Sequence, residues 1–321
     1  MLKSLGTALG VAGLLVAAPA AASRDTARYT SLTVFGDSLV DAGNIRVLAP
    51  SVVDPANGYF MGRFTNGYDY TDYINLALFG TPTRASLTGG TNFAYGGARA
   101  SATSGVPDFS EQLAQYAGYL ARGNAVDRNG LYVVNFGGND IFNAPADPVL
   151  EDAFIRNSAR DYVDGVQALL DLGVRNVLLT GFPVLTDPLS FTAEGYLTTE
   201  LARLRLDTDD TLFRFSYLDF FNRVSSNPGS LGLPTQRTDI TCQAAGRAAI
   251  DAGCVGIFSL DGTHPTAAVQ AALFQDVDRQ FNLTGAVPEP ATWMTLILGF
   301  GAIGAAMRRR RRTITPAVRA A

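Results

Sequence analysis

The chain has 321 residues, of which 47% are hydrophobic, with 25 Lys and Arg, 29 Asp and Glu, and a net charge of −4. Without residues 1–22 and 288–321, 18 basic and 28 acidic residues remain, a net charge of −10. An acidic body argues against nucleic acid and anionic lipid headgroups as electrostatically captured partners. No linker or internal repeat divides the remaining body, so we expect a single domain over 23–287.

The N-terminus has the pattern of a secretory signal peptide. Lys3 precedes an apolar run over 8–18 that is too short to span a bilayer, and three alanines, 20–22, supply small residues before a cleavage site. We therefore expect a signal peptidase to remove residues 1–22 and the mature protein to be exported.

Short apolar runs alternate with helix-like segments along the body. The runs lack regular polar alternation and predict buried strands over 31–35, 131–136, 174–180 and 213–218. The segments between them predict helices over 67–78, 110–121, 154–172, 192–209 and 265–281. This alternation predicts a parallel sheet with helices on both faces, in which ligands bind at the carboxyl ends of the strands.

Glycine-rich polar turns follow the predicted strands. Ser38, in the turn after the first strand, can project its hydroxyl beside backbone N–H groups, or it can simply cap the next helix. The pair Gly96 and Gly97 lets a backbone N–H approach a ligand, or forms only a loop. Asn139 can donate its amide to an oxyanion, or bond its own backbone.

The shape of a substrate pocket depends on loops such as 49–61 and 186–197. Their aromatic residues, and one nearby, are candidates for an apolar acyl groove or for the core: Tyr59, Phe60, Phe182 and Phe191.

Cys242 and Cys254 are the only cysteines of the chain. In an exported protein we expect them to form a disulfide that stabilises the fold by about 3 kcal/mol in the chain-entropy picture. Two free thiols are the alternative.

His264 is the only histidine, and Asp261 lies three positions before it. Imidazole is the unperturbed side chain that exchanges its proton near neutral pH, so a histidine-dependent proton transfer at a serine must use this residue. The spacing lets the Asp261 carboxylate face Nδ1 and leaves Nε2 free for a serine. With one histidine and two cysteines that are expected to pair, a metal site is disfavoured.

The C-terminus carries Val-Pro-Glu-Pro-Ala-Thr-Trp over 287–293, an apolar stretch to Met307 and five arginines, 308–312. This segment resembles the PEP-CTERM sorting signal of Gram-negative bacteria that make extracellular polysaccharide. The resemblance implies cleavage by an exosortase-type enzyme within a sorting segment over 288–312, transient inner-membrane association, and a cytoplasmic tail over 313–321. We expect the body to reach the periplasm, cell surface or extracellular matrix; a single-pass tail anchor is the alternative.

Four segments in this order, around Ser38, Gly97, Asn139 and His264, resemble the SGNH or GDSL hydrolases, a family of serine esterases and lipases. Further stretches are similar to its lipase-like branch, which includes phospholipase/lecithinase-type esterases; they lie at 62–67, 92–98, 173–183 and 261–266. The resemblance covers about 31–281. It implies an α/β fold, a three-layer α/β/α sandwich of the flavodoxin-like type with a mainly parallel sheet of about five strands.

The resemblance implies a role for each residue. Ser38 is the expected nucleophile, with His264 as general base and Asp261 orienting it. The expected oxyanion hole consists of the backbone N–H groups of Ser38 and Gly97 and the amide of Asn139, with Gly96 as an alternative to Gly97.

We therefore predict an exported serine ester hydrolase that forms an acyl-enzyme on an ester of a lipid or an acylated sugar. Neither a metal nor an organic cofactor is required. Two alternatives remain: an acyltransferase that uses the same residues, and a surface or matrix binding protein whose hydrolase site is vestigial.

Overall fold

A parallel sheet lies at the centre of the computed structural model, which describes residues 28–101 and 104–285. Its strands are hydrogen-bonded in chain order: β1 (Leu32–Gly36), β2 (Leu131–Asn135), β3 (Asn176–Thr180) and β4 (Thr211–Phe215). The extended segment 91–95 adds a fifth parallel row beside β1, where Val34 N donates to Thr91 O at 3.0 Å and Phe93 N donates to Val34 O at 2.7 Å. Numbered along the chain, the five rows have the flavodoxin-like order 2-1-3-4-5, as predicted.

Ten helices surround this sheet in the described part of the chain. They are α1 (Asn44–Leu48), α2 (Tyr70–Phe79), α3 (Phe109–Ala121), α4 (Gly138–Phe142), α5 (Pro148–Asp171), α6 (Pro188–Leu201), α7 (Tyr217–Ser226), α8 (Cys242–Ala245), α9 (Arg247–Asp251) and α10 (Ala267–Phe281). Short 3-10 turns lie at Pro50–Val53, Pro55–Asn57, Ser86–Thr88 and Pro228–Leu231.

Both faces of the sheet are buried. Alternate strand residues point to opposite sides, so Tyr132 and Val134 pack with α3, α5 and α6, whereas Leu131 and Val133 pack with α2, α7 and α10. Because neither face of the central strands meets water, these strands are continuous apolar runs in the sequence. The result is the three-layer α/β/α sandwich that the sequence predicts.

Most of the predicted elements are confirmed to within three residues, but some boundaries differ. The helix predicted over 192–209 is α6, which begins at Pro188 behind the capping residue Asp187 and ends at Leu201. The following turn, closed by a bond from Asp207 N to Asp210 Oδ2, leads into β4 instead of extending the helix. Likewise α5 begins at Pro148, not at 154, because Asp147 caps it.

The strand predicted over 213–218 is shifted, and a helix after it was missed. β4 covers 211–215 and ends where the Ser216 side chain accepts the Asp219 N–H and caps α7. The run of aromatic residues in β4 and α7 continues across this boundary, so hydrophobicity alone did not reveal the change from strand to helix.

The predicted disulfide joins Cys242 and Cys254, so the free-thiol alternative is wrong. It closes the segment that contains α8 and α9, and both cysteines pack with Ile257 and Leu260 in a small cluster beside the main core.

Among residues 28–101 and 104–285, no helix is long and apolar enough to cross a membrane. The predicted signal peptide and the C-terminal sorting segment lie outside the described residues.

Candidate active site

Ser38, Asp261 and His264 meet at the carboxyl end of the sheet. His264 Nε2 lies 2.8 Å from Ser38 Oγ, and His264 Nδ1 lies 2.6 Å from Asp261 Oδ2. The serine follows β1, whereas the other two residues lie in the loop before α10. The structure therefore brings together the three side chains that the sequence selected, although Ser38 and His264 are 226 positions apart.

A tight turn presents Ser38. Asp37 Oδ1 accepts the Leu39 N–H at 3.0 Å, and Asp37 N donates to Asn135 O at 3.1 Å. A Cβ at Gly36 would come within 2.6 Å of Asn135 O, so this close approach of β1 and β2 requires glycine. Helix α1 begins later, behind Gly43, and Ser38 is therefore not its cap.

The predicted oxyanion donors line one cavity with Ser38: Gly97 follows the 91–95 segment, and Asn139 lies in the first turn of α4. Asn139 Nδ2 donates one hydrogen to Ala98 O at 2.9 Å. Among the described residues, neither the Ser38 N–H nor the Gly97 N–H has a protein acceptor. Three neighbouring rows of the sheet thus end with one donor each.

Gly96 has a different environment. Its N–H donates to Asp41 Oδ2 at 3.0 Å, and a Cβ there would approach the Phe64 ring to 2.3 Å. Gly97 has φ +91°, a conformation that favours glycine, and a Cβ there would meet only Val106 Cγ2, at 3.7 Å. This arrangement favours Gly97 over Gly96 as an oxyanion donor.

Asp261 is ionised in this arrangement. Burial alone would raise the pKa of its carboxyl, but the hydrogen bond from the His264 ring and two backbone N–H groups hold the pKa well below its usual range. Those N–H groups belong to Thr263 and His264 and reach Oδ1 at 2.9 and 2.8 Å. A carboxylate beside Nδ1 favours the tautomer that leaves Nε2 able to accept the Ser38 proton.

Beneath the serine turn lies a buried polar network. Burial raises the pKa of Asp37 to about 7, and the nearby Asp140 carboxylate acts in the same direction. Asp37 Oδ1 accepts from Asn135 Nδ2 at 3.2 Å, and Asn135 Oδ1 accepts the hydroxyl protons of Tyr70 and Tyr217. This network ties the turn to the helices on one side of the sheet.

A cavity of about 540 Å³ opens at Ser38. Much of its wall is apolar, with side chains from Leu39, Phe64, Phe142, Leu185, Phe221 and Phe258. In residues 28–101 and 104–285, no group of three or more His, Cys, Asp or Glu side chains is arranged to bind a metal ion.

The aromatic residues predicted as groove candidates do not line this cavity. Phe182 is buried in the core, Phe191 is 56% exposed on α6, and Tyr59 contacts Asp261. Besides Leu39, Phe64 and Phe142, the walls come from 183–186, α7 and 258–265. The 183–186 wall could have been predicted, because residues that follow β3 must lie at the same sheet edge as Ser38. The α7 wall could not, because the helix itself was not predicted.

A family model for GDSL-like lipase/acylhydrolase matches residues 32–277. The chain belongs to the GDSL-like lipase/acylhydrolase family. A second model, for the PEP-CTERM protein-sorting motif, matches residues 286–312. This GDSL-family protein therefore carries a signal for export to the cell envelope or surface.

Several curated proteins are similar to it. Lipase 1 of Photorhabdus luminescens is 38% identical over 156 residues, which cover 48% of this chain and 22% of the relative. An acetylesterase of Thermothelomyces thermophilus is 31% identical over 190 residues, covering 54% and 60%. The chain thus spans less than two thirds of the length of either relative.

Among solved structures, a variant of a Geobacillus acetyl-xylooligosaccharide esterase aligns with 78% of this chain and 93% of its own. Its identity is 15% and its TM-score is 0.41. A likeness this low bears on neither the fold nor the site of the GDSL-family protein.

The contacts of two residues in this GDSL-family site were not predicted from the sequence. Tyr59 donates its hydroxyl to Asp261 Oδ2 at 2.7 Å. The Phe64 ring lies 4.9 Å from the His264 ring, centroid to centroid, at 39° between planes. Phe64 lies within the Gly-Arg-Phe-Thr-Asn-Gly stretch at 62–67, and Tyr59 lies three positions before it; this stretch carries part of the family resemblance, but no role was predicted for it.

Proposed function

We propose that this GDSL-family protein is an exported serine ester hydrolase that acts through an acyl-enzyme. The supporting observation is the line of contacts from Ser38 Oγ to His264 Nε2 at 2.8 Å and from His264 Nδ1 to Asp261 Oδ2 at 2.6 Å, at the floor of a cavity. A serine, a base and an orienting carboxylate in this order form the arrangement that activates a serine hydroxyl.

In the first half-reaction, His264 Nε2 takes the proton of Ser38 Oγ as that oxygen attacks the ester carbonyl carbon. The negative charge that develops on the carbonyl oxygen is held by the N–H groups of Ser38 and Gly97 and the amide of Asn139. The intermediate then collapses, the bond to the alcohol oxygen breaks, and protonated His264 gives its proton to the departing alcohol. Asp261 stabilises the imidazolium throughout.

In the second half-reaction, water attacks the acyl-enzyme. His264 accepts a proton from the water, the same oxyanion donors hold the charge, and the proton passes to Ser38 Oγ as the acid leaves. The residues used are those of the first step, so the cycle returns the enzyme unchanged.

The apolar cavity walls support an acyl group that contains hydrocarbon, and the proposed substrate is an ester of a lipid or an acylated sugar. The relatives named lipase and acetylesterase favour transfer of the acyl group to water over transfer to another alcohol. The sorting motif supports cleavage by an exosortase-type enzyme and final placement in the periplasm, at the surface or in the extracellular matrix.

The test compares the wild-type protein with Ser38→Ala on p-nitrophenyl butyrate. We expect Ser38→Ala to lose at least about 10⁴-fold in kcat, since Ser38 Oγ is the atom that takes the acyl group in this mechanism. Ser226→Ala is the matched control, because Ser226 Oγ donates to Asn222 O within α7 and does not line the cavity, and it should keep wild-type rates.

A fluorophosphonate provides a second measurement. We expect it to label wild-type protein at Ser38 and to leave Ser38→Ala unlabelled. Full activity in Ser38→Ala would contradict the hydrolase assignment, and an unlabelled, inactive wild-type protein would favour the binding protein with a vestigial site.

A further inference from the structure

The proposed general base is not attached to the sheet. His264 and Asp261 lie in the loop between α9 and α10, whereas Ser38 and Asn139 lie where β1 and β2 end. Within the loop, Leu260 N and Ser259 Oγ both donate to His264 O, at 2.8 and 3.0 Å. These bonds fix the backbone of the loop but not the orientation of the two side chains.

The hydroxyl of Tyr59 completes the contacts of the Asp261 carboxylate. It donates at 2.7 Å to Oδ2, the oxygen that also faces His264 Nδ1 at 2.6 Å. Oδ1 accepts two backbone N–H groups. Because each oxygen has two partners, the carboxylate cannot rotate without breaking at least one of these four hydrogen bonds. Burial and this contact raise the pKa of Tyr59 to about 12, so the hydroxyl acts as a neutral donor.

Phe64 contacts the imidazole ring of His264, the partner of Asp261. It is 8% exposed, and its ring covers one side of the His264 imidazole at 4.9 Å. The Tyr59 ring meets the Phe64 ring edge-on at 6.0 Å. One residue therefore contacts the carboxylate and the other the imidazole, and the two also support each other.

The 59–66 segment is rigidly anchored. Arg63, 5% exposed, makes two bonds to the Asp72 carboxylate, both at 2.9 Å, and donates to Thr83 O. At the other end, Asn66 Oδ1 accepts the Ala267 N–H at 2.7 Å, at the start of the helix that follows the histidine loop. The segment is thus hydrogen-bonded to α2 and to the start of α10.

We propose that Tyr59 is a positioning residue that holds the Asp261 carboxylate toward His264 Nδ1, with the 59–66 segment as its rigid support. The proposal rests on the proposed hydrolase function. Tyr59 touches no reacting atom; it acts through Asp261. Its hydroxyl keeps the acceptor oxygen in line with Nδ1 while the imidazole charges and discharges.

Tyr59→Phe removes one oxygen atom and keeps the ring against Phe64. We expect kcat on p-nitrophenyl butyrate to fall about tenfold, the loss typical of one hydrogen bond to a charged group, with KM within about twofold. Tyr116→Phe is the matched control, because it removes a buried hydroxyl bonded to Tyr132, the second residue of β2 and thus near the opposite end of the strands from Ser38, and it should leave kcat unchanged.

A spectroscopic measurement needs no substrate. In protein labelled with ¹⁵N-histidine, the single histidine gives one unambiguous Nδ1–H signal. We expect this signal to move in Tyr59→Phe and to stay in place in Tyr116→Phe. In an Asp261→Ala background, the further change Tyr59→Phe should alter kcat by less than about twofold, because the group through which Tyr59 acts is gone.

An unchanged kcat and an unchanged Nδ1–H signal in Tyr59→Phe would overturn the proposal. A tenfold loss that persisted in the Asp261→Ala background would also overturn it, since the hydroxyl would then act elsewhere. If the wild-type protein hydrolysed no ester, the hydrolase proposal would fail, and the position of the histidine signal would still decide the role of Tyr59.

Discussion

Asn139→Ala isolates one donor of the proposed oxyanion hole. One hydrogen of Asn139 Nδ2 is bound to Ala98 O at 2.9 Å, and the other is left for a ligand in the cavity that Asn139 lines. Loss of one such donor lowers kcat by about 10²–10³-fold, or about 2.7–4 kcal/mol. We expect little change in KM, because the donor acts on charge that appears only as the ester reacts. The lost bond to Ala98 should cost about 1 kcal/mol of stability, or about 2–4 °C in Tm.

The assay measures initial rates on p-nitrophenyl butyrate across substrate concentrations, with Tm from thermal unfolding. Asn143→Ala is the control, since Asn143 Nδ2 donates to Asn139 O at 2.7 Å but does not line the cavity. Asn143→Ala loses one hydrogen bond from a side-chain amide to α4 and should keep kcat within about twofold. A kcat within threefold of wild type in Asn139→Ala, or equal losses in both variants, would refute the oxyanion role.

Three further outcomes are expected. His264→Ala should abolish esterase activity with an unchanged circular dichroism spectrum, because no second histidine can replace the base. Replacing Cys242 and Cys254 by serine should lower the free energy of unfolding by about 3 kcal/mol, and reductant should then lower Tm only in the wild type. Burial raises the pKa of Asp37 to about 7, so the folded state keeps the carboxyl proton up to a higher pH than the unfolded state does. The stability that this proton contributes, at most about 4 kcal/mol, is therefore lost as pH rises from about 4 to 8. Asp37→Asn should flatten Tm against pH over that range, and an unchanged slope would contradict the buried, protonated state.

The sheet and the positions of the proposed oxyanion donors at its edge could be predicted because their signals are local. Strands buried on both faces are apolar runs, and the residues that follow them must share one edge of a parallel sheet. Ser38, Gly97 and Asn139 each follow such a run. For the same reason β1 and β2 were located to within one residue at each end.

The helix α7 and the cavity walls were not predicted, because hydrophobicity does not separate a buried strand from a buried helix. Phe213 and Phe215 in β4 are followed closely by Tyr217, Phe220 and Phe221 in α7. The signal was the cap: Ser216 comes before an acidic residue three positions later, a pattern that starts helices. This capping pattern would have been enough to predict α7 and, with it, one wall of the cavity.

Contacts to the Asp261–His264 pair have no such local signal, since Tyr59 is 202 positions from its partner. The sheet ladder sets the spacing of Ser38, Gly97 and Asn139, so their geometry is lost only when strands separate. The histidine loop has no ladder; its backbone is bonded to the disulfide-closed segment, where Cys242 N and Gln243 N donate to Ser259 O and Leu260 O, both at 3.0 Å. Such a loop can open at a free energy below that of global unfolding. In the proposed mechanism, the alignment of the base therefore depends on side chains from distant segments, and these residues can be identified only from the folded structure.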